Sequence, residues 1–101
     1  MITKNFKISF TAGQATVFKV IVEQIIICPA RKEDNTTLAR YVVAEWYRRN
    51  AGRFVFLPER LRFTFSPAQA YALNMLLQIN EFDCDAAKLA RSIVGLIDPK
   101  I

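Results

Sequence analysis

Five arginines within one short segment are the side chains whose type and spacing most clearly suggest chemistry. The segment 48–62 carries them against one glutamate, and it therefore holds most of the chain's formal net charge of +5. These arginines are Arg48, Arg49, Arg53, Arg60 and Arg62. The aromatic residues interleaved with them are Trp46, Tyr47, Phe54, Phe56 and Phe63. Arginines beside exposed rings are typical of surfaces that contact phosphates and stack bases, so these arginines are candidate DNA- or RNA-binding residues.

The alternation of residues within this segment weakens the stacking half of that interpretation. Phe63 and Phe65 share one face of a predicted strand with Leu61, while Arg62 shares the other face with Thr64. Many of the rings are therefore expected to point inward. A solvated basic face is also common in proteins that bind no nucleic acid, and no known reader motif accompanies the charge. Nucleic-acid binding through residues 48–62 is accordingly kept as the alternative function.

The sequence offers little for catalysis, and we predict that the protein is not an enzyme. It contains no histidine, the side chain most used for proton transfer near neutral pH and the commonest metal ligand. Its three glycines do not have the spacing of a phosphate-binding loop. No cofactor, metal or small-molecule substrate is evident. A site built from arginines and from the tyrosines at 41, 47 and 71 is the remaining enzymatic alternative.

Acidic residues flank one of the two cysteines. Glu81, Asp83 and Asp85 surround Cys84 and could be considered a metal site. They stand just before a predicted helix, however, where carboxylates cap amides and complement the helix dipole. We interpret them as helix-capping residues. Cys28 and Cys84 are interpreted as reduced thiols, since the chain shows no export signal.

The segment 12–28 is rich in β-branched residues, which favour strands, yet it is predicted to be a helix. Thr11 followed by Gln14 is a capping box, in which each side chain satisfies a free amide at the helix start. Apolar residues also recur at three- and four-residue steps, while Lys19 and Glu23 share the opposite side. Capping and periodicity therefore outweigh the intrinsic propensity.

This helix carries more apolar surface than one face can hold. Val20, Val22, Ile26 and Ile27 lie partly off its main stripe, so either the helix is central in the domain or a partner covers it. Hydrophobic residues make up 52% of the chain, which suggests more apolar surface than a small core can bury. We therefore favour a non-enzymatic protein-interaction or self-assembling module, acting as a homo-oligomer, for example a dimer, or with a protein partner, and take these four as candidate interface residues.

The remaining patterns predict an α+β fold in which four helices pack on a small antiparallel sheet. Strands are expected at residues 6–10, 53–57 and 60–65, the last two joined at Pro58-Glu59. Further helices are expected at residues 36–50, from Ser66-Pro67 onward, and at 85–97. Gly52 is placed to end the second helix.

The second half of the chain resembles the first when shifted by 55 residues. Phe6, Ile8 and Phe10 then fall on Leu61, Phe63 and Phe65, and the Thr11 capping box falls on Ser66 and Gln69. Omitting four loop residues aligns Leu38-Ala39-Arg40 with Leu89-Ala90-Arg91. We predict an internal duplication of a strand-helix-helix unit with pseudo-twofold symmetry. The alternative is that two strand-to-helix junctions merely share the same capping.

Length and composition predict one domain spanning residues 1–101, with half-repeats at about 5–50 and 60–98. No signal peptide is visible at the N-terminus. The most apolar segment, 15–30, contains charged residues and is too short to cross a bilayer. A cytoplasmic protein without membrane insertion is expected.

Overall fold

The computed structural model describes residues 4–27 and 35–100. It shows four helices packed on a two-stranded antiparallel sheet, which confirms the predicted α+β fold class. The elements in chain order are β1 (Phe6–Thr11), α1 (Ala12–Ile27), α2 (Asn35–Asn50), a 3₁₀ helix (Ala51–Phe54), β2 (Arg60–Phe65), α3 (Pro67–Ile79), α4 (Cys84–Ile97) and a final 3₁₀ helix (Asp98–Lys100).

The two strands alternate between buried and exposed side chains over their whole length. Their apolar face lies against the helices, as the period-two pattern predicts. The buried residues are Phe6, Ile8 and Phe10 on β1 and Leu61, Phe63 and Phe65 on β2. The register places Ile8 directly opposite Phe63 at the centre of the pairing. One face of the sheet is thus core, and the other is open to solvent.

Both predicted capping boxes are present and fix where the helices begin. The Thr11 amide donates to Gln14 Oε1 at 3.0 Å, and the Gln14 amide donates to Thr11 Oγ1 at 3.2 Å. Ser66 and Gln69 form the same pair of bonds at 2.8 and 3.2 Å. Each box satisfies amides that a helix start otherwise leaves free, so each strand turns into its helix within one residue.

The helix α1 lies at the centre of the molecule, which explains why so much of it is apolar. It packs against α2, α4 and both strands. Ile21, Val22 and Ile25 are fully buried, and Phe18 contacts the rings of Phe10, Trp46, Phe54, Phe63 and Phe65. Packing in this core therefore overrides the strand preference of β-branched residues.

The predicted strand at residues 53–57 is wrong. The chain there forms the 3₁₀ helix Ala51–Phe54 and then a turn. Phe54 anchors this segment by stacking on Phe63, with ring centroids 4.8 Å apart, and Leu57 is partly buried against the core, whereas Val55 and Phe56 between them are both exposed. Two exposed neighbours in succession break the alternation that a half-buried strand requires. Gly52 does not adopt a left-handed conformation, so the end of α2 does not depend on it.

The internal duplication stays a prediction. The register is compatible with it, because the 55-residue shift relates Ile8 to Phe63, and these two residues are also cross-strand partners. The helix packing is compatible as well, since α1 contacts α4 and α2 contacts α3. Cys28 lies outside the described residues, and Cys84 is an exposed free thiol.

Candidate nucleic-acid interface

The solvent side of the sheet carries only cations and hydroxyls. We call it the basic sheet face. Its six exposed residues are Lys7, Ser9 and Thr11 on β1 and Arg60, Arg62 and Thr64 on β2. The register pairs Lys7 with Thr64, Ser9 with Arg62, and Thr11 with Arg60. Every cross-strand pair on this side therefore joins one cation to one hydroxyl, and none includes a carboxylate.

The exposed cross-strand pairs lie close together because of the hydrogen-bonding pattern of the sheet. The Ala12 amide donates to the Glu59 carbonyl at 3.3 Å, which extends the ladder by one rung. Because the bonded pairs alternate along an antiparallel ladder, the buried pairs exchange the backbone bonds and the exposed pairs are the non-bonded ones. Side chains approach most closely in non-bonded pairs. The charges of the basic sheet face are therefore concentrated over two short strands.

The cations of this face are free of internal neutralisation. Within residues 4–27 and 35–100, Lys7, Arg60 and Arg62 form no ion pair. Arg60 and Arg62 lie on the same side of β2 at a separation of about 7 Å, two strand residues apart. They are thus available to ligand oxygens without first breaking a salt bridge.

Arg53 lies at the outer edge of β2, where it has a structural role. Its guanidinium lies 4.8 Å from the centre of the Phe63 ring and donates to the Arg62 carbonyl at 2.7 Å. Seven residues earlier in the chain, the Trp46 indole nitrogen donates to the Thr64 carbonyl at 2.9 Å. Two outward carbonyls of β2 are therefore already occupied by side chains of the same molecule.

Arg48 and Arg49 differ from the other three predicted arginines. Both pair with Glu45 one turn earlier on α2, Arg48 through Nη2 and Arg49 through Nε at 3.1 Å. They remain exposed at the end of the helix, where cations also complement the dipole. The structure thus places two of the five predicted arginines on the basic sheet face, one at the edge of β2, and two in ion pairs at the end of α2.

The outer edge of β1 is open, in contrast to that of β2. Lys7 and Ser9 belong to non-bonded pairs, so their backbone N–H and C=O groups point away from β2. In the part of the chain that the structure describes, these groups accept and donate no hydrogen bond. The Thr11 amide is satisfied by Gln14. The sheet therefore has one covered edge and one uncovered edge.

The four predicted interface residues separate into two groups. Val22 is fully buried inside the molecule, so its assignment to a partner surface is wrong, because the central position of α1 already covers it. Ile26 is half-buried against the core. Val20 and Ile27 are 56% and 77% exposed and lie seven residues apart on one side of α1. Only these two remain available to a partner.

Two functional candidates were not among the predicted site residues. Lys7 joins the basic sheet face only through strand pairing with a segment more than fifty residues away, although the 55-residue shift does align it with Arg62. Phe56 is 88% exposed in the turn before β2, while Trp46, Phe54 and Phe63 are buried. Phe56 is therefore the aromatic ring of this segment that faces solvent.

The acidic residues around Cys84 are exposed and do not converge. Asp83 is the N-cap residue of α4, but its side chain makes no capping bond, and its carbonyl accepts the amides of Ala86 and Ala87 instead. Asp85 lies in the first turn, where its charge complements the dipole. Over the described ranges, no three histidine, cysteine or acidic side chains are grouped as a metal ion would require.

Comparisons with known proteins leave the geometry as the guide to function. Protein-family models, curated proteins and solved structures were compared with the chain, and none matches it. Among the helices that the structure describes, none combines the length and the apolar character needed to cross a bilayer.

Proposed function

We propose that this protein binds nucleic acid, DNA or RNA, through the basic sheet face. The observation that carries the proposal is the composition of that face, in which three cross-strand pairs each join a cation to a hydroxyl. Arginine binds phosphate oxygens in a bidentate manner, and lysine and hydroxyl groups add further donors. An unpaired cationic face also releases counterions from the nucleic acid, which is the main source of sequence-independent affinity.

The exposed ring of Phe56 supports a preference for single strands. It precedes Arg60 by four residues in a turn that no other described element covers. A base can stack on an exposed aromatic ring only when it is not held within a duplex, and such stacking contributes about 1–3 kcal/mol per base. The proposed arrangement is therefore a phosphate-binding sheet with one stacking residue at its end.

The proposal is tested by fluorescence anisotropy with random single- and double-stranded oligonucleotides across a salt series. The variant Arg60→Gln/Arg62→Gln is compared with Lys88→Gln/Arg91→Gln, which removes the same charge from exposed positions of α4. We expect the first pair to weaken binding and to reduce the slope of log K against log salt by about two. Equal weakening by both pairs would mean that net charge alone drives binding, and absence of binding at low salt would contradict the proposal.

We expect Phe56→Ala to weaken binding to single strands more than to duplexes.

Anionic vesicles provide a further arm of the same experiment, because a lipid surface could also attract this face. Binding to vesicles that exceeds binding to oligonucleotides of equal charge would redirect the assignment to a membrane surface.

A second candidate function, self-assembly, is supported by the asymmetry of the sheet edges. The backbone groups of Lys7 and Ser9 are unpaired in the described structure, whereas side chains cover the carbonyls of Arg62 and Thr64. An open edge is a template for strand addition. Antiparallel pairing of β1 with β1 of a second copy would form a four-stranded sheet and join two basic sheet faces.

Proline substitution at the edge separates this candidate from the first. Ser9→Pro removes an amide that points away from β2, so it should block pairing between copies while leaving the internal ladder intact. Thr64→Pro removes an outward amide at the covered edge and is the matched control. Light scattering after size exclusion should show a dimer for the parent chain and the control, and a monomer for Ser9→Pro. A parent chain that is monomeric at all concentrations would contradict self-assembly.

A further inference from the structure

A cleft beside α3 is lined by Asn74, whose side-chain oxygen is buried without a hydrogen-bond partner among the described residues. Its volume is about 280 Å³, and it lies where α3 meets the C-terminal end of α4. Its lining combines an aromatic ring, a thioether and an aliphatic side chain with two amides and one carboxylate. The lining residues are Tyr71, Asn74, Met75, Gln78, Ile79 and Asp98.

The hydrogen bonds of the cleft fix the orientation of both amides. Asn74 Nδ2 and Gln78 Nε2 both donate to Oδ1 of Asp98, at 3.2 and 3.3 Å. Turning either amide over would place its oxygen against the carboxylate, so the nitrogens must face Asp98. The oxygens of both amides and the second oxygen of Asp98 are then left as acceptors for a ligand, beside the second N–H of each amide and the Tyr71 hydroxyl.

Asn74 is the residue that requires explanation. It is 5% exposed, and its Oδ1 has no hydrogen-bond partner within the described residues. Buried acceptors in folded proteins are almost always satisfied, so an orphan acceptor next to a cleft indicates a donor that comes from outside the chain. A positively charged donor would satisfy this acceptor and also neutralise Asp98, for which the described residues supply no cation.

The equivalent cluster in the other half of the chain contains its own cation. The alignment of the two halves relates Asn74 to Lys19, Gln78 to Glu23, and Asp98 to Tyr47. There, Lys19 Nζ lies 3.8 Å from Glu23 Oε1, and the Tyr47 hydroxyl donates to the same oxygen at 3.2 Å. At the aligned positions the cleft therefore has a neutral amide, Asn74, in place of the lysine, while its carboxylate, Asp98, is left without a cation among the described residues.

We infer that the cleft binds a primary ammonium group. The ammonium donates to Asp98 and to Asn74 Oδ1, while Met75 and Ile79 contact the alkyl chain. The ring of Tyr71 lies at the rim, where an aromatic face attracts a cation. The ammonium could belong to a free amine or to a lysine side chain, and the chemistry of recognition is the same for both.

The inference is tested by titrating the ¹⁵N-labelled chain with n-butylammonium. Neutral n-butanol and anionic butyrate have the same alkyl chain and serve as matched controls. We expect n-butylammonium alone to produce saturable shifts at Asn74, Gln78 and Asp98. Equal shifts with n-butanol would mean that the cleft binds the alkyl chain and does not recognise the ammonium. Absence of shifts with n-butylammonium would mean that water satisfies Asn74 Oδ1. Either result overturns the inference.

Two variants identify the groups responsible. Asp98→Asn removes the charge with little change of shape and should weaken binding by about ten- to hundredfold, as loss of a charged hydrogen-bond partner does. Asn74→Leu removes the orphan acceptor and should also weaken it. Asp85→Asn removes the same charge from a distant exposed position and should leave the affinity unchanged. Equal weakening by Asp98→Asn and Asp85→Asn would show that only net charge matters.

The source of the ammonium is distinguished with two further probes, putrescine and Nα-acetyl-lysine N-methylamide. Tighter binding of putrescine would indicate a free amine, and tighter binding of the capped lysine would indicate a protein partner that presents a lysine. Failure of both to compete with n-butylammonium would contradict the assignment.

Discussion

Under the predicted 55-residue alignment, the two halves of the chain have buried residues at matching positions but different polar groups around them. The first half comprises β1, α1 and α2, and the second comprises β2, α3 and α4. Each buried residue of β1 has a buried counterpart on β2. The first helices match as well, with Ala15 and Ala70, Phe18 and Leu73, Ile21 and Leu76, and Val22 and Leu77 all buried.

The polar clusters differ most between the halves. In the first half Glu23 forms an ion pair with Lys19 and accepts a hydrogen bond from Tyr47. In the second half Asp98 accepts hydrogen bonds from Asn74 and Gln78. Burial constrains the framework positions strongly, because any change of volume there costs stability. The partly exposed positions are under weaker packing constraint, so the aligned halves can differ there at little cost in stability.

The largest expected effect tests the different cores of the two halves. Trp46 is buried, stacks on Phe65 with centroids 4.5 Å apart, and bonds to the Thr64 carbonyl, whereas its counterpart Ile97 makes apolar contacts alone. We expect Trp46→Ala to lower the free energy of unfolding by about 3–5 kcal/mol. Ile97→Ala should cost less, since it removes fewer atoms and no hydrogen bond. Urea denaturation measures both, and a larger loss for Ile97→Ala would contradict the asymmetry.

The next effect concerns the orphan acceptor in the second half. Asn74→Leu replaces a buried amide with an apolar group of similar size, and we expect it to raise the free energy of unfolding by about 1 kcal/mol. The matched change in the first half, Lys19→Leu, alters an exposed position and should stay within about 0.5 kcal/mol. A destabilised Asn74→Leu would show that the bond from Asn74 to Asp98 outweighs the unsatisfied oxygen.

The capping boxes should respond alike in the two halves. Thr11→Ala and Ser66→Ala each remove a side chain that accepts from the third residue of the following helix. Each substitution should cost about 1 kcal/mol of unfolding free energy. Thr11→Ser and Ser66→Thr keep the bond and serve as controls. If one alanine variant cost nothing, the two junctions would not be equivalent.

The smallest effect is a pH dependence confined to the first half. Burial raises the pKa of the Tyr47 hydroxyl, and the charge and hydrogen bond of Glu23 raise it further. The folded state therefore favours the protonated phenol, which adds to the free energy of unfolding. This stabilisation is fully present below the unfolded-state pKa of about 10 and is lost as pH rises through the raised pKa of the folded state. The stability of the parent chain should fall more steeply above pH 10 than that of Tyr47→Phe. Urea midpoints at several pH values check this, with Tyr71→Phe as the exposed control.

Most of the framework could be predicted from local patterns. β1, β2 and the start of α1 follow from two-residue alternation and from the Thr11–Gln14 capping box, which are short-range signals. The strand predicted at 53–57 failed because Phe54 and Phe56 mimic alternation, while only Phe54 reaches the core. Whether a ring is buried depends on tertiary contacts that local spacing does not determine.

The candidate sites could be predicted only in part. Arg60 and Arg62 are evident from charge, but Lys7 joins them only because the strands pair across more than fifty residues. The contact between Asn74 and Asp98 depends on how α3 packs on α4, and no sequence motif marks it. The burial of Val22 likewise follows from the central position of α1 rather than from the stripe of apolar residues on it.

The most direct test of the proposed function maps where nucleic acid touches the protein. The ¹⁵N-labelled chain is titrated at low salt with a random single-stranded oligonucleotide, and the amide shifts are followed by NMR. We predict that the largest changes fall on Lys7, Ser9, Arg60, Arg62 and Thr64, with little change on α3 and α4. Shifts confined to those two helices, or no shifts at any concentration, would contradict the assignment of the basic sheet face.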